Sequence, residues 1–307
     1  MNYILTTSGL SKRYKARYAA EDINIHIRKG MIYGLIGRNG AGKTTIMRML
    51  SGLALPTAGS YQYFDSDGNP IRNLVGKVGT LIEAPGLYPK LSAYENIKIK
   101  CIAAGIPRAK IDATVRELLA LVGLADTGKK QAGSFSLGMR QRLGIALALT
   151  GDPEIIILDE PINGLDPQGI VEMRVMLEKL RDEKGITIMI SSHILDELSK
   201  LADAYGIIHE GRLIDEFTTD ELAERCGEYI TLKTPDLKAA KESLQKMGIT
   251  QVEVDQNSNI RISEALDQTA AILKTLITDD VTVNELYVTR LSLEDYYLTI
   301  TGGKYDA

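Results

Sequence analysis

One nine-residue stretch has the residue types and the spacing of a phosphate-binding loop. It reads Gly37-Arg38-Asn39-Gly40-Ala41-Gly42-Lys43-Thr44-Thr45 and fits the P-loop pattern G-x-x-x-x-G-K-S/T. Glycines allow backbone conformations that a Cβ would forbid, so successive N–H groups can turn toward phosphate oxygens. We therefore predict a nucleotide site in which Lys43 reaches the β- and γ-phosphates and the Thr44 hydroxyl ligates Mg²⁺.

The segments on either side of this loop supply the structural context that the motif requires. The segment 31–36 is short and apolar, which is typical of a buried strand, and residues 46–50 continue with a helical pattern. A helix that begins at the loop would also direct its positive N-terminal end toward the phosphates. The alternative is a chance glycine-rich turn, and the order strand, loop, helix argues against it.

The composition is that of a globular chain without a membrane span. The 307 residues are 44% hydrophobic and 25% charged, which is ordinary, and the length indicates two domains. A net charge of −4 argues against a chain built to coat nucleic acid, so no nucleic-acid partner is expected. Cys101 and Cys226 are too few and too far apart for a disulfide framework or a metal site. Since no signal peptide and no long apolar run is present, we expect a cytosolic chain.

The spacing of apolar residues predicts a doubly wound α/β core followed by a smaller domain. Residues 1–30 are β-rich, and a helical pattern extends from about residue 76 to residue 151. Apolar strands at 155–158 and 186–192 flank a charged helix, and a hairpin over 205–214 completes the core. From residue 218 the order is strand, helix, strand, strand, helix, strand, which predicts a ferredoxin-like α+β domain.

Three further motifs lie downstream of the P-loop. The first reads Phe135-Ser136-Leu137-Gly138-Met139-Arg140-Gln141-Arg142. The second is the pair Asp159 and Glu160, at the end of an apolar strand where a parallel sheet opens into a site. The third is His193, directly after the next strand. In isolation each motif has an ordinary structural interpretation: a serine-capped helix, a surface acid pair and a structural histidine.

Together, over about residues 1–215, these motifs resemble the ATP-binding subunits of ABC transporters. Residues 135–142 look like the L-S-G-G-Q signature of that family, with Ser136 and Gly138 at its Ser and its second Gly. Leu137 and Met139 replace the first Gly and the Gln, but Ser136 can still cap a helix whose N–H groups face an anion. The resemblance implies a P-loop NTPase of ABC type, with an α/β core, an antiparallel β subdomain and a helical subdomain at about 76–151. Together with the change in composition at residue 218, it predicts an ATP-binding domain at 1–217 and an accessory α+β domain at 218–307.

The resemblance also assigns catalytic and interface roles. Asp159 matches the Walker B aspartate that holds Mg²⁺, and Glu160 matches the general base that activates the attacking water. His193 matches the switch histidine at the γ-phosphate, so Lys43, Glu160 and His193 are the predicted catalytic residues. Asp166 matches the D-loop aspartate, which crosses the interface between two ATP-binding domains.

Two further positions are a candidate contact to the adenine base and a residue that differs from the family pattern. Tyr14 falls where the family places an aromatic residue that stacks on adenine, and Tyr18 is the weaker candidate. Glu83 stands where the family carries a Gln that senses Mg²⁺ and faces the membrane subunit. Because a carboxylate is a charged and harder ligand, we expect Mg²⁺ coordination and coupling to the partner to differ here.

The mechanism that the resemblance implies requires two copies. Each ATP would lie between the P-loop of one copy and Ser136 and Gly138 of the other, and hydrolysis would drive export through separate transmembrane permease subunits. Glu83, the altered signature and the tail around residues 292–297 resemble the bacitracin-resistance and lantibiotic-immunity exporters. We therefore expect the exported substrate to be a peptide antibiotic, a drug or a lipid-like molecule. The chain would then be cytoplasmic and peripheral on the inner face of the membrane.

Two alternatives remain open on the sequence alone. An ABC ATPase without a transport partner, acting in translation or DNA maintenance, usually carries two cassettes or a long coiled coil, and neither is present. A small-molecule kinase would share the P-loop but leaves residues 135–142 unexplained. Co-purification with a membrane protein, with ribosomes or with DNA distinguishes transport from the regulatory role.

Overall fold

The computed structural model describes residues 3–302, except residues 66, 75, 227, 256, 257 and 291. The chain contacts divide it into two units, one ending at Thr219 and one beginning at Asp220. This boundary lies close to the change in composition at residue 218. Each unit has its own hydrophobic core.

The first unit alternates strands and helices. Its strands in chain order are β1 (Tyr3–Tyr14), β2 (Arg17–Ile23), β3 (His26–Arg28), β4 (Ile32–Ile36), β5 (Ala58–Phe64), β6 (Pro70–Ile71), β7 (Val78–Leu81), β8 (Ile155–Leu158), β9 (Thr187–Ser192), β10 (Ala204–His209) and β11 (Arg212–Thr218). Its helices are α1 (Lys43–Leu50), α2 (Ala93–Ala103), α3 (Arg108–Leu121), α4 (Leu137–Ala148), α5 (Pro167–Lys184) and α6 (Leu195–Ser199). Short 3₁₀ turns lie at Ala125–Thr127 and Ala132–Ser134. Helix α7 (Thr219–Cys226) follows β11 and, apart from Thr219, belongs to the second unit.

A six-stranded sheet forms the centre of this unit, in the order β11-β10-β4-β9-β8-β7. All neighbouring strands are parallel except β10 and β11, which form an antiparallel hairpin. Strands β4, β8 and β9 are buried along their whole length, which explains the unbroken apolar run of β8 and the apolar centre of β9. Because parallel strands end at the same edge of a sheet, the P-loop, Asp159 and His193 all follow strand ends on one side.

A second sheet, with antiparallel pairing, accounts for the β-rich N-terminal region. Its order is β2-β1-β5-β6, and β3 pairs with the first part of β1. The buried Tyr63 of β5 donates a hydrogen bond to the carbonyl of Leu50, at 2.9 Å, which joins this sheet to the end of α1. The α/β core and the antiparallel β subdomain that the sequence predicts are therefore confirmed.

Helices α2, α3 and α4 form the helical part of the unit. Helix α2 begins with a capping box, in which Ser92 and Glu95 exchange hydrogen bonds and the pKa of Glu95 is lowered by those it accepts from Ser92. The prediction of helical structure from residue 76 was wrong at its start, because β7 is a strand of the central sheet. Val78 pairs with Ile155 of β8, and Gly79 lies against the Ala148 carbonyl, where a Cβ would overlap it.

The second unit is a small α+β layer. Its elements are β12 (Glu228–Lys233), α8 (Leu237–Lys246), β13 (Val252–Val254), β14 (Ile260–Ile262), α9 (Thr269–Thr278), β15 (Glu285–Arg290) and α10 (Leu293–Thr301), with a 3₁₀ turn at Leu266–Gln268. The four strands pair antiparallel in the order β13-β14-β12-β15. Alternate residues of the strands, such as Ile230 and Leu232, pack with Leu244 and Leu276 of the two helices. The chain order is that of a split βαβ layer.

Across the described part of the chain, no helix combines the length and the apolar composition that a membrane span requires.

Candidate nucleotide-binding site

The P-loop lies between β4 and α1 and forms a small open cavity. Gly40 and Gly42 have φ angles of 82° and 114°, which residues with a Cβ rarely adopt. A Cβ on Gly42 would also overlap the carbonyl oxygen of Ala19. The cavity has a volume of about 190 Å³ and is lined by Ala19, Arg38, Asn39, Gly40, Gly42, Lys43, Thr44, Thr45 and Glu160.

Two predicted P-loop residues lie behind the cavity and shape it indirectly. Ala41 is buried and packs in the core of the first unit. A Cβ on Gly37 would meet the carbonyl of Ile208 in β10, so glycine is what lets the loop leave β4 so close to the neighbouring strand. Both residues shape the path of the backbone, and their assignment as nucleotide-binding residues stays a prediction.

Strand β4 is held in place next to the loop by a buried tyrosine. The hydroxyl of Tyr33 donates to Oε1 of Glu216 in β11, at 2.8 Å. Burial, together with the nearby Glu216 carboxylate, raises the pKa of Tyr33 well above its ordinary value, so the phenol stays a neutral donor. A Cβ on Gly206 of β10 would overlap this hydroxyl, which explains the glycine there.

Of the three residues predicted to be catalytic, Glu160 contacts both Lys43 and His193. Lys43 is only 5% exposed, and its Nζ donates to the carbonyl of Gly37 at 2.6 Å. Glu160 places Oε1 3.3 Å from Lys43 Nζ and Oε2 2.7 Å from Nδ1 of His193. A carboxylate thus lies between the P-loop ammonium and the imidazole. Lys43 comes from the P-loop, Glu160 from the end of β8 and His193 from the end of β9.

The backbone of Glu160 adopts an unusual conformation that directs this carboxylate. Its φ angle is 50°, in the left-handed region that few non-glycine residues occupy. The Glu160 N–H donates to Oγ of Ser191 at 2.9 Å. Such a conformation persists when surrounding contacts hold it, and functional sites are where it concentrates.

Thr44 and Asp159 provide adjacent oxygen atoms suited to a magnesium ion. Thr44 Oγ1 donates to Oδ2 of the buried Asp159 at 2.8 Å, and Oδ1 of Asp159 accepts from Ser191 at 2.6 Å. Mg²⁺ is commonly held by one carboxylate and one hydroxyl, with water and phosphate completing its shell. No cluster of three or more metal-binding side chains occurs within residues 3–302, the gaps noted above aside. These residues therefore fit Mg²⁺ bound together with a phosphate ligand.

Ser191 is a site residue that the sequence analysis missed. Its hydroxyl contacts both Asp159 and the backbone of Glu160. Ser191 could be identified from the sequence only if β8 and β9 were known to be neighbours. Leu158 pairs with Ile190, so the residues that follow them lie side by side.

Tyr14 lies at the end of β1, in the hairpin that approaches the P-loop. Lys12 Nζ is 5.2 Å from its ring centre, and Tyr14 pairs with Arg17 across the hairpin. Tyr18 lies on the opposite strand, directly before Ala19, which lines the cavity. Both tyrosine side chains are exposed, and the assignment of one of them to adenine stays a prediction.

Replacing Tyr14 by Ala is expected to weaken ATP binding by roughly 5- to 150-fold, because stacking of a base on an aromatic ring contributes about 1–3 kcal/mol. Equilibrium binding of ATP to the purified chain measures this change. Tyr18→Ala serves as the control from the same hairpin and is expected to have the smaller effect. The reverse order of the two effects would transfer the assignment to Tyr18.

The signature residues and the D-loop line a separate cleft. Ser136 caps α4 by accepting a hydrogen bond from the Met139 N–H at 3.2 Å, and Asp166 caps α5 in the same way with Gly169 at 3.1 Å. The cleft has a volume of about 480 Å³, and its lining residues include Ser136, Leu137, Gly138, Gly164, Leu165 and Asp166. None of its lining residues also lines the P-loop cavity. Ser136, Gly138 and Asp166 are therefore not brought to the P-loop of their own chain.

Glu83 does not join the oxygen atoms of Thr44 and Asp159 in this structure. Its side chain is 62% exposed and pairs with the guanidinium of Arg48, in the last turn of α1. Its φ angle of 64° is again in the left-handed region, within the loop after β7. The role of Glu83 as a metal ligand stays a prediction, and Arg48 is a partner that sequence analysis did not identify.

Comparison with known proteins tests the resemblance to ABC transporters independently of the motifs. Residues 20–163 match the model of a family described as ABC transporter. The bacitracin transport ATP-binding protein BcrA of Bacillus licheniformis is 42% identical over 307 residues, which cover 99% of this chain and 99% of BcrA. The lantibiotic transport ATP-binding protein SrtF of Streptococcus pyogenes is 46% identical over 213 residues, 69% of this chain and 90% of SrtF.

A solved structure gives the same result for the fold. The protein cbiO1 of Clostridium perfringens, part of the ABC transporter complex cbiONQ, superposes with a TM-score of 0.66 at 26% identity. The match covers 81% of this chain and 97% of cbiO1.

Proposed function

This chain belongs to the ABC transporter family as an ATP-binding protein, and from that premise we propose that it powers export through separate membrane subunits. It is an ATPase of that family, as the resemblance of its motifs predicts. The observation that carries the proposal is the likeness to BcrA along 99% of the chain, second unit included. Of the predicted substrate classes, a peptide antibiotic is the one that the bacitracin and lantibiotic transport names of BcrA and SrtF support.

The residues around Glu160 supply the chemistry of hydrolysis. The γ-phosphate competes with Glu160 for the Lys43 ammonium, and a carboxylate released from that ion pair can accept a proton from the attacking water. His193 stays in contact with the other carboxylate oxygen and keeps the side chain oriented. When bound, Mg²⁺ would neutralise phosphate charge beside Thr44 and Asp159.

Two copies of the chain are needed to complete each site. The P-loop cavity and the cleft around Ser136 share no lining residue, so each chain supplies them as two separate surfaces. A head-to-tail pair would place the N-terminal end of α4 of one copy over the phosphates held by the other. This arrangement uses the serine-capped helix as an anion site.

A groove beside the Glu83 loop is suited to a permease segment. It has a volume of about 460 Å³ and lies between the end of β7, α2 and α4, with the lining residues Leu53, Gly76, Val78, Gly79, Thr80, Leu81, Ile82, Ala84, Pro85, Gly86, Lys100, Ala103, Ala104, Gly144, Leu147, Ala148 and Thr150. Leu55, close to Leu53 in the chain, is 80% exposed, which adds apolar surface in the same loop. Docking here would hold the chain on the inner face of the membrane.

Isolation of the tagged chain from membranes tests this proposal. We expect it to co-purify with a protein that has several membrane spans, and that partner to stimulate its ATPase activity. Recovery with ribosomes or with DNA in place of a membrane protein would favour the regulatory alternative. A chain recovered from the soluble fraction without any membrane partner would contradict the transport role.

Replacing Glu83 by Gln is expected to reduce coupled transport more strongly than basal ATPase activity. The reason is that Glu83 borders the permease groove and pairs with Arg48, while Thr44 and Asp159 remain in place. Transport in vesicles and ATP turnover are measured on the same preparation. Arg48→Gln is the matched control, because it removes the ion pair and keeps the carboxylate. Equal losses of transport and turnover in Glu83→Gln would identify Glu83 as a catalytic ligand.

A further inference from the structure

Leu137, which stands where the signature of the family has a glycine, packs on the D-loop of its own chain. It is 39% exposed, and its Cδ2 lies 3.1 Å from the position that a Cβ on Gly164 would take. Gly164 has a φ angle of 73°. Glycine favours that conformation and leaves room for the leucine side chain, so Leu137 and Gly164 fit each other.

Further contacts join the same two segments. Leu165 Cδ2 lies 3.6 Å from the position of a Cβ on Gly138, so the apolar contact is formed from both sides. Farther along the two helices, Arg142 Nη1 of α4 lies 2.9 Å from Oε2 of Glu172 in α5. Within α5, Gln168 donates to Oε1 of the same carboxylate at 3.0 Å. The start of α4 and the segment that leads into α5 therefore contact each other through leucines at the cleft and through an ion pair below it.

The D-loop in turn is bonded to the residue that acts as general base. The Asn163 N–H donates to the carbonyl of Glu160 at 3.1 Å, and the Leu165 N–H donates to Ile162 at 3.3 Å. These hydrogen bonds make residues 160–165 a series of tight turns. Gly164 and Leu165 are therefore connected through a short bonded segment to the backbone of Glu160, which has a left-handed conformation.

We propose that Leu137 is a positioning residue that links ATP on the signature of one copy to the general base of the same copy. The proposal rests on the two-copy arrangement, in which Ser136 and Gly138 contact the nucleotide held by the partner. ATP there orders the first turn of α4, Leu137 carries the change to Gly164, and the D-loop then adjusts Glu160. The two ATP sites thereby depend on each other.

The test compares the ATP dependence of turnover in the full chain and in variants of Leu137. In the unmodified chain we expect a Hill coefficient of about 2, the limit for two coupled sites, and in Leu137→Ala a value of about 1. Leu137→Met, which refills the same space, should restore the higher value. Val175→Ala is the matched control, since Val175 lies on α5 and is 42% exposed.

Hydrogen exchange gives a second measurement that does not depend on turnover. In a Glu160→Gln background, ATP should protect the amides of residues 163–166 from exchange, and adding Leu137→Ala should remove that protection. A Leu137→Ala chain with unchanged cooperativity and unchanged protection would overturn the proposal, as would an unmodified chain with a Hill coefficient of about 1. Light scattering of the Glu160→Gln chain with ATP tests the two-copy arrangement separately from the role of Leu137. Absence of a dimer contradicts the two-copy arrangement itself, whereas a dimer indifferent to Leu137 contradicts only the role of this side chain.

Discussion

Replacement of Glu160 by Gln is expected to lower ATP turnover by roughly 10²- to 10⁴-fold, the usual contribution of a general base. The amide has the shape of the carboxylate but cannot accept the proton of the attacking water. ATP binding should persist or strengthen, because Lys43 no longer shares its charge with a carboxylate 3.3 Å away. Phosphate release in a single turnover measures hydrolysis, and equilibrium binding of ATP measures affinity. Retained binding without hydrolysis should also favour an ATP-bound dimer.

Glu154→Gln is the control for this experiment. Glu154 directly precedes β8, the strand that Glu160 follows, and pairs with Lys77 at 3.1 Å on the opposite side of the sheet. Its substitution should leave both turnover and affinity unchanged. Unchanged turnover in Glu160→Gln would exclude Glu160 as the base, and a parallel loss of binding would indicate that the carboxylate supports the cavity.

The central part of the site could be predicted because it lies at strand ends. Buried parallel strands appear in a sequence as apolar runs: residues 155–158 are uninterrupted, and residues 187–192 have an apolar centre at 188–190. A polar residue that directly follows such a run must lie at the carboxyl edge of the sheet. Asp159, Glu160 and His193 were found by this rule together with the motif order, and the structure brings Glu160 and His193 into contact.

Strand β7 could not be recognised in the same way. It has four residues, its burial alternates, and one of its buried residues is Gly79, which has no side chain to mark it as apolar. The strand exists because its backbone pairs with β8 and packs against α4, and both partners lie far away in the chain, as the pairing of Val78 with Ile155 shows. Local periodicity carries no information about such a partner.

Side-chain pairs that depend on tertiary structure likewise could not be predicted from the sequence. Glu83 could be recognised as a departure from the family pattern, but its ion pair with Arg48 joins residues 35 positions apart on different elements. Leu137 could be recognised only as a replaced glycine. Its contact with Gly164 becomes visible when α4 and the D-loop are placed side by side.

Replacement of Lys43 by Ala is expected to raise the dissociation constant for ATP by roughly 10²- to 10⁴-fold, because Lys43 would make charge-assisted hydrogen bonds to the β- and γ-phosphates, each contributing about 1.5–3 kcal/mol. ADP lacks the γ-phosphate and makes only one of these two hydrogen bonds. Its affinity should therefore fall by only about the square root of that factor. Equilibrium titration with both nucleotides measures the two losses, and Lys77→Ala, at the far end of the sheet, is the control.

The double variant Lys43→Ala with Glu160→Gln decides how this loss arises. In the nucleotide-free chain Lys43 neutralises Glu160, so its removal leaves an uncompensated carboxylate beside the phosphate cavity. If repulsion by that carboxylate caused the loss of ATP binding, the Glu160→Gln substitution would restore affinity in the double variant. If Lys43 acts by binding the phosphates, affinity stays as low as in Lys43→Ala alone. We expect the second result, because the neutral amide introduced by Glu160→Gln offers no cation to the γ-phosphate, and recovery in the double variant would contradict the assignment of Lys43 as a phosphate ligand.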